Sequence, residues 1–296
     1  MTTSRQTKGY INGVLASVSY GTNPLFALPL YACGIGASSV LFFRYFIATL
    51  IYYFWLKFVK KISLRINKNE AITLFILGLT FSLSSITLFV SFKYIESGIA
   101  CTILFVYPAM VAIIMAMFFK EKLSFSVLVA MFITALGIVF LSNAKTDSNI
   151  NLLGLVLIFV SALSYAIYMV GVKKLPAVKH LRGDKLSFYV MLFGISVYVV
   201  STKFCTNLQI LNTPKEWFLA ICIAIIPTII SLETITIAIK FIGSTKTAIL
   251  GALEPLTATV LGILLFGESI SISKVIGMLL VFAGVFVIIN SKKLLH

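Results

Sequence analysis

The sequence predicts an all-α integral membrane protein: ten transmembrane helices in two inverted five-helix repeats. Three observations carry this. The chain is 60% hydrophobic and 11% charged, whereas a soluble domain has roughly 25% charged residues. Its apolar residues fall into runs that match the roughly 20 residues a helix needs to cross a bilayer. Residues 93–143 also align with 240–290 without a gap, which sets Lys93 on Lys240, Ser97 on Ser244, Pro108 on Pro255, Glu121 on Glu268, Gly137 on Gly284 and Asn143 on Asn290. Only helices and closed barrels satisfy their backbone groups in lipid. These runs lack the short alternating segments of a barrel.

In chain order, spans are expected near 9–29, 38–57, 70–92, 97–119 and 123–142, then 152–172, 184–202, 215–239, 244–266 and 271–290. The halves are residues 1–146 and 147–296. The first run follows Arg5 and Lys8 and is longer than the apolar core of a cleaved signal peptide. Its Gly9, Ser19 and Tyr20 match Gly154, Ser164 and Tyr165 of the sixth run, so it is expected to remain as helix 1. Five helices per half turn the second half over relative to the first. The halves are then related by a two-fold axis in the membrane plane, and binding is expected between them.

The net charge of +15 reflects topology. With the N-terminus inside, the inner segments hold 18 Lys and Arg and the outer loops hold 5, with Arg44 inside helix 2. That bias places both termini in the cytoplasm of a cell inner membrane, and no nucleic-acid partner is expected. The sequence has no GxxxxGK[ST] phosphate loop, so ATP drive is not expected. The histidines His180 and His296 fall outside the expected spans, and the four cysteines have no metal spacing. No metal and no cofactor are implied. Cys33 and Cys205 both fall near the outer face, which leaves a disulfide or two free thiols open.

Pro108 and Pro255 stand at the centres of helices 4 and 9. A proline removes one backbone donor and frees a carbonyl one turn back, on Leu104 or Gly251. A paired hinge and a simple packing kink are both consistent with this. Glu254, just before Pro255, is expected near mid-membrane, where a carboxylate is costly and needs a purpose. It could contact substrate, hold a proton or accept backbone hydrogen bonds. Helix 6 places Ser161, Ser164, Tyr165 and Tyr168 on one face, and helix 1 carries Tyr20 and Asn23. Such stripes line a cavity or join helices by hydrogen bonds. Tyr107, Ser84 and Ser231 are further candidate binding residues, with Thr80 and Thr228 beside them. Arg44 is expected to snorkel to the outer interface, with an anionic partner as the alternative. Glu233 is expected to snorkel or pair. The spaced pairs Ala130/Gly137 and Gly277/Gly284 suit close helix contact.

Leu253-Glu254-Pro255-Leu256 running to Phe266-Gly267-Glu268, with Tyr107-Pro108 running to Phe119-Lys120-Glu121, resembles the drug/metabolite transporter superfamily in its ten-helix EamA-type branch. The resemblance implies a secondary transporter of the inner membrane that works by alternating access, often as an exporter. It implies a small-molecule substrate, such as an amino acid or similar metabolite, aromatic ones included. Small four-helix relatives use a helix 1 glutamate for proton-coupled drug export. Helix 1 here offers Tyr20, Gly21 and Asn23 and no acid. Proton or other ion coupling stays open. The partners expected are the substrate and the lipid bilayer. A lipid-carrier flippase is the rival reading, with Arg44 and the interfacial lysines as its headgroup site. An enzyme is not expected, since no paired carboxylates, His cluster or Ser/His set is present.

Overall fold

A computed structural model of the chain describes residues 2–91, 94–95, 100, 103–142, 151–266 and 271–290. The sequence features at Lys93, Ser97, Cys101, Asn143, Glu268 and His296 lie outside these residues, as do the last six positions used to place the C-terminus.

The chain is a multi-pass, all-helical membrane protein, with no strand among the described residues. Seven of its helices are long and apolar enough to cross a bilayer: Ala37–Val59, Lys68–Ser91, Leu152–Lys174, Gly183–Ser201, Pro214–Ile242, Ser244–Leu265 and Ile272–Asn290. Tyr107–Phe119 and Phe125–Phe140 are apolar but shorter. In chain order the helices are α1 (Thr2–Gly21), α2 (Asn23–Ala32), α3 (Ala37–Phe54), α4 (Lys68–Ser91), α5 (Tyr107–Phe119), α6 (Phe125–Ser142), α7 (Leu152–Lys174), α8 (Gly183–Ser201), α9 (Pro214–Ala224), α10 (Ser231–Ile242), α11 (Ser244–Leu250), α12 (Leu253–Phe266) and α13 (Ile272–Asn290).

Several expected spans are interrupted, each for a local reason. The first divides at Thr22, because Pro24, in the first turn of α2, has no N–H to continue the ladder of α1 and its ring crowds the carbonyl one turn back. The eighth divides at Ile225–Ile230, a π-helical segment centred on Pro227. The ninth breaks after Leu250, and Pro255 lies in the first turn of the new helix, α12. There the Gly251 carbonyl accepts from the Glu254 backbone N–H at 2.9 Å, so it is not left without a partner. Pro108 likewise stands in the first turn of α5, after a turn at Phe105–Val106. Pro24, Pro108 and Pro255 thus sit in first turns, where a missing donor costs least, whereas Pro227 lies inside a span.

Small residues set the closest helix contacts. A Cβ on Gly137 of α6 would lie 2.8 Å from the Val281 backbone nitrogen and 3.0 Å from the Gly277 carbonyl. A Cβ on Gly284 of α13 would lie 3.1 Å from both the Ala130 carbonyl and the Thr134 nitrogen. These contacts are reciprocal, since Ala130 matches Gly277 and Gly137 matches Gly284 in the repeat. As one helix is followed forward the other runs backward, so α6 and α13 pack antiparallel. A second matched set joins α1 to α10 and α7 to the end of α4. Gly9 abuts Phe241 and Ile242, and Gly154 abuts Tyr94 and Ile95, the repeat mates of those two residues. The outer faces keep large apolar side chains such as Phe132, Leu279, Phe282 and Phe286, which suits lipid. Cys33 and Cys205 are exposed free thiols, so no disulfide joins them.

Candidate functional site

Pro227 builds the site. Without an N–H it cannot join the regular helical ladder, and the chain answers with a π-helical turn. The Thr228 hydroxyl donates to the Ile223 carbonyl five residues back, at 2.6 Å. Its oxygen in turn accepts from Arg44 Nε at 2.6 Å, and the Pro227 carbonyl accepts from Arg44 Nη2 at 3.0 Å. Arg44 is therefore held across the two halves of the chain and is only 1% exposed. Its guanidinium lies over the rings of Tyr20 at 5.4 Å and Tyr45 at 5.9 Å. Nη1 has no hydrogen-bond partner. Among the described residues no carboxylate forms an ion pair with Arg44. The expectation that Arg44 snorkels to the interface is thus corrected: the π turn supplies acceptors, and the tyrosines supply ring faces, inside the protein.

A small cavity of about 10 Å³ lies beside this arginine. Tyr20, Arg44 and Phe81 come from the first half, and Tyr165, Pro227, Thr228, Ser231, Leu232 and Ile235 from the second. A larger pocket of about 160 Å³ lies between Glu121–Val127 and Ile242–Lys246. Its Glu121 and Lys122 are exposed, and it holds no buried charge comparable to Arg44. The central cavity is the better candidate for that reason.

Three of the expected site residues, Tyr20, Tyr165 and Ser231, reach the central cavity. Tyr107 and Tyr168 pack behind Tyr165, with ring centroids 4.9 and 6.2 Å away. Their hydroxyls point elsewhere, Tyr107 to the Ala248 carbonyl at 3.0 Å and Tyr168 to the Thr236 hydroxyl at 3.3 Å. Ser84 joins helices instead: its hydroxyl is 3.1 Å from that of Ser161, which donates to the Ser84 carbonyl at 2.7 Å. Asn23 opens α2, and its side-chain oxygen is buried without a partner. Glu254 does not line the cavity. Pro108 and Pro255 flank the helix breaks.

Ion pairs cluster at the lysine-rich end of the bundle. Lys60 Nζ lies 2.7 Å from Glu233 and 3.5 Å from Asp184, which Arg182 also holds at 3.0 Å. His180 meets Glu70 at 2.8 Å. Both sets tie the first half to the second, and Glu233 is paired.

The profile of the EamA-like transporter family matches the chain twice, over residues 7–143 and 152–290. The chain belongs to the EamA-like transporter family. It is 25% identical to an uncharacterized transporter of Clostridium kluyveri, over 97% of this chain and 94% of that one. It is 24% identical to an uncharacterized transporter of Archaeoglobus fulgidus, over 65% of this chain and 67% of that one. A solved crystal structure shares the fold with a TM-score of 0.83, covering 98% of this chain and all of the other at 15% identity.

The main residues of this EamA-like transporter's cavity that sequence reasoning undervalued are Arg44, Pro227 and Phe81. The signal for the first two was available. A lone arginine in one apolar run and a proline followed by a threonine in another each need a partner, and they supply it to each other.

Proposed function

We propose that this EamA-like transporter carries a small metabolite through the central cavity by alternating access between two inverted repeats. The observation that carries the proposal is a cavity whose walls come from both halves, with a buried arginine whose hydrogen bonds cross between them. On this reading the local breaks are joined and the helices make ten crossings, five per half. The antiparallel α6–α13 contact and the matched contacts of Gly9 and Gly154 support an inverted relation. The cavity has room for little more than water, which suits an occluded form. Opening at the lysine-rich end would break the Lys60–Glu233 and His180–Glu70 pairs. That end would face the cytoplasm, with both termini, and export would release substrate at the other. The named relatives are transporters, and neither they nor the family favour a lipid-carrier flippase.

Purified protein in liposomes tests this. Saturable accumulation of a labelled metabolite against protein-free vesicles is expected, with loss in Tyr165→Ala. If a broad panel of amino acids and small organic acids never moves above background, the proposal fails.

A further inference from the structure

We propose that Arg44 is an anion-binding residue and that the central cavity, on opening, takes the carboxylate of a small molecule with an apolar body. This rests on the cavity being the transported molecule's site. A guanidinium carries five N–H donors in a rigid fork. On Arg44 the side formed by Nε and Nη2 is occupied, by the Thr228 hydroxyl and the Pro227 carbonyl. The end of the fork, Nη1 with the second hydrogen of Nη2, is left. Nη1 is buried with no acceptor in the protein, and Arg44 is a wall of the cavity. That open end matches the two oxygens of a carboxylate, which a guanidinium can bind with two parallel hydrogen bonds.

The charge balance points the same way. A cation held at 1% exposure in a membrane protein is costly unless something neutralises it. Among the described residues no acid pairs with Arg44. Glu254 makes no ion pair with Arg44 and is not a cavity wall. An entering anion would complete the fork and supply the missing charge at once. The remaining walls set the rest of the ligand. Tyr20, Phe81 and Tyr165, with Leu232 and Ile235, make the rest of the lining mostly apolar. The closed cavity holds little more than water, so the ligand would enter when the two halves part.

Benzoate, its neutral isostere benzamide and the cation benzylamine make the test. Each is added to purified full-length protein, and the melting temperature is followed over a concentration series. A saturable rise with benzoate, absent with the other two, is expected. Equal shifts from benzoate and benzamide, or none from benzoate at 10 mM, a level roughly tenfold above a millimolar Kd, would overturn the proposal. Arg44→Met should remain monodisperse and lose benzoate binding by about 10- to 100-fold, the worth of a charged hydrogen bond. If Arg44→Met does not fold, Arg44→Lys decides. It keeps the charge but not the fork, so benzoate should bind about tenfold more weakly; unchanged affinity in either variant overturns the site. Liposome assays separate this from the transport reading. Benzoate binding that depends on Arg44 without movement of any carboxylate keeps the site and sinks the carrier. Transport of neutral or cationic solutes that survives Arg44→Lys does the reverse.

Discussion

The Tyr107 hydroxyl occupies the space that a side chain on Gly251 would need. It donates to the Ala248 carbonyl at 3.0 Å, and a Cβ on Gly251 would stand 1.7 Å from its oxygen. Tyr107 opens α5 after the break in the first half, and Gly251 lies in the break between α11 and α12. The two interrupted helices are thus plugged into each other.

Gly251→Ala should therefore destabilise the protein by about 1–3 kcal/mol through overpacking. Tyr107→Phe alone should cost about 1 kcal/mol for the lost hydrogen bond. Together they should cost less than the sum, because the phenylalanine no longer carries the clashing oxygen. Melting temperatures of the two single variants and the double variant check this, and strict additivity would count against the contact.

The α6–α13 seam gives a second test. Gly137→Val and Gly284→Val each press a branched side chain against the backbone of the facing helix. Both should lower stability by about 1–3 kcal/mol, and by similar amounts, because their surroundings are repeat mates. A large effect at one position with none at the other would argue against the matched packing.

Much of this was legible in the sequence, for reasons that differ by residue. The class followed from run length, because lipid admits so few backbone solutions. The helix breaks were legible at Pro108 and Pro255, since a repeated proline marks a repeated interruption. Their consequence was not: the freed Gly251 carbonyl finds the Glu254 N–H within a turn. Tyr20 and Tyr165 were legible as cavity residues by their matched positions. Tyr107, Tyr168 and Ser84 share the same sequence signal, but their hydroxyls are spent on Ala248, Thr236 and Ser161. A polar stripe shows that a face is interior without showing whether it meets a void or another helix. Arg44 was misjudged because its partners lie 183 and 184 residues away, beyond any local pattern.

Orientation is open to a direct check. Single cysteines at Ser148 and Leu294, placed in a cysteine-free background, should differ in intact cells. The impermeant thiol reagent should label position 148 and spare position 294 if the lysine and arginine excess sets the orientation, with the C-terminus inside. The opposite pattern would invert the topology.

The Lys60 pairs should act on opening more than on stability. Lys60 and Glu233 are 28% and 22% exposed, so their pair is worth about 1 kcal/mol at most. Lys60→Met removes a tie between the halves and leaves Glu233 without its partner. The melting temperature should fall by only a few degrees. A cysteine at Ser231, on the cavity wall, should label faster from the lysine-rich side in that background. If its labelling rate does not change, these pairs do not close that end.

Glu254 is expected to support transport by organising the broken centre of the ninth crossing, with direct substrate contact the lesser role. It stands in the first turn of α12, and its backbone N–H closes the turn on Gly251 at 2.9 Å. Its carbonyl approaches to 2.6 Å from where a Gly21 Cβ would be, so α1 packs directly on this turn. Its carboxylate is absent from the cavity wall. The repeat mate is Tyr107, a neutral residue whose hydroxyl bridges the two breaks. Both halves therefore place a polar side chain before the proline, and only one of them is charged. Glu254→Gln keeps the shape and most of the acceptor capacity, so it should stay folded and retain at least part of its transport. Glu254→Leu removes the polar group and should lower melting temperature and transport together, by about 1–3 kcal/mol in stability if tyrosine or backbone donors lose their acceptor. A Glu254→Gln protein that melts like the parent and transports nothing would show that the carboxylate itself handles a proton or a substrate amine.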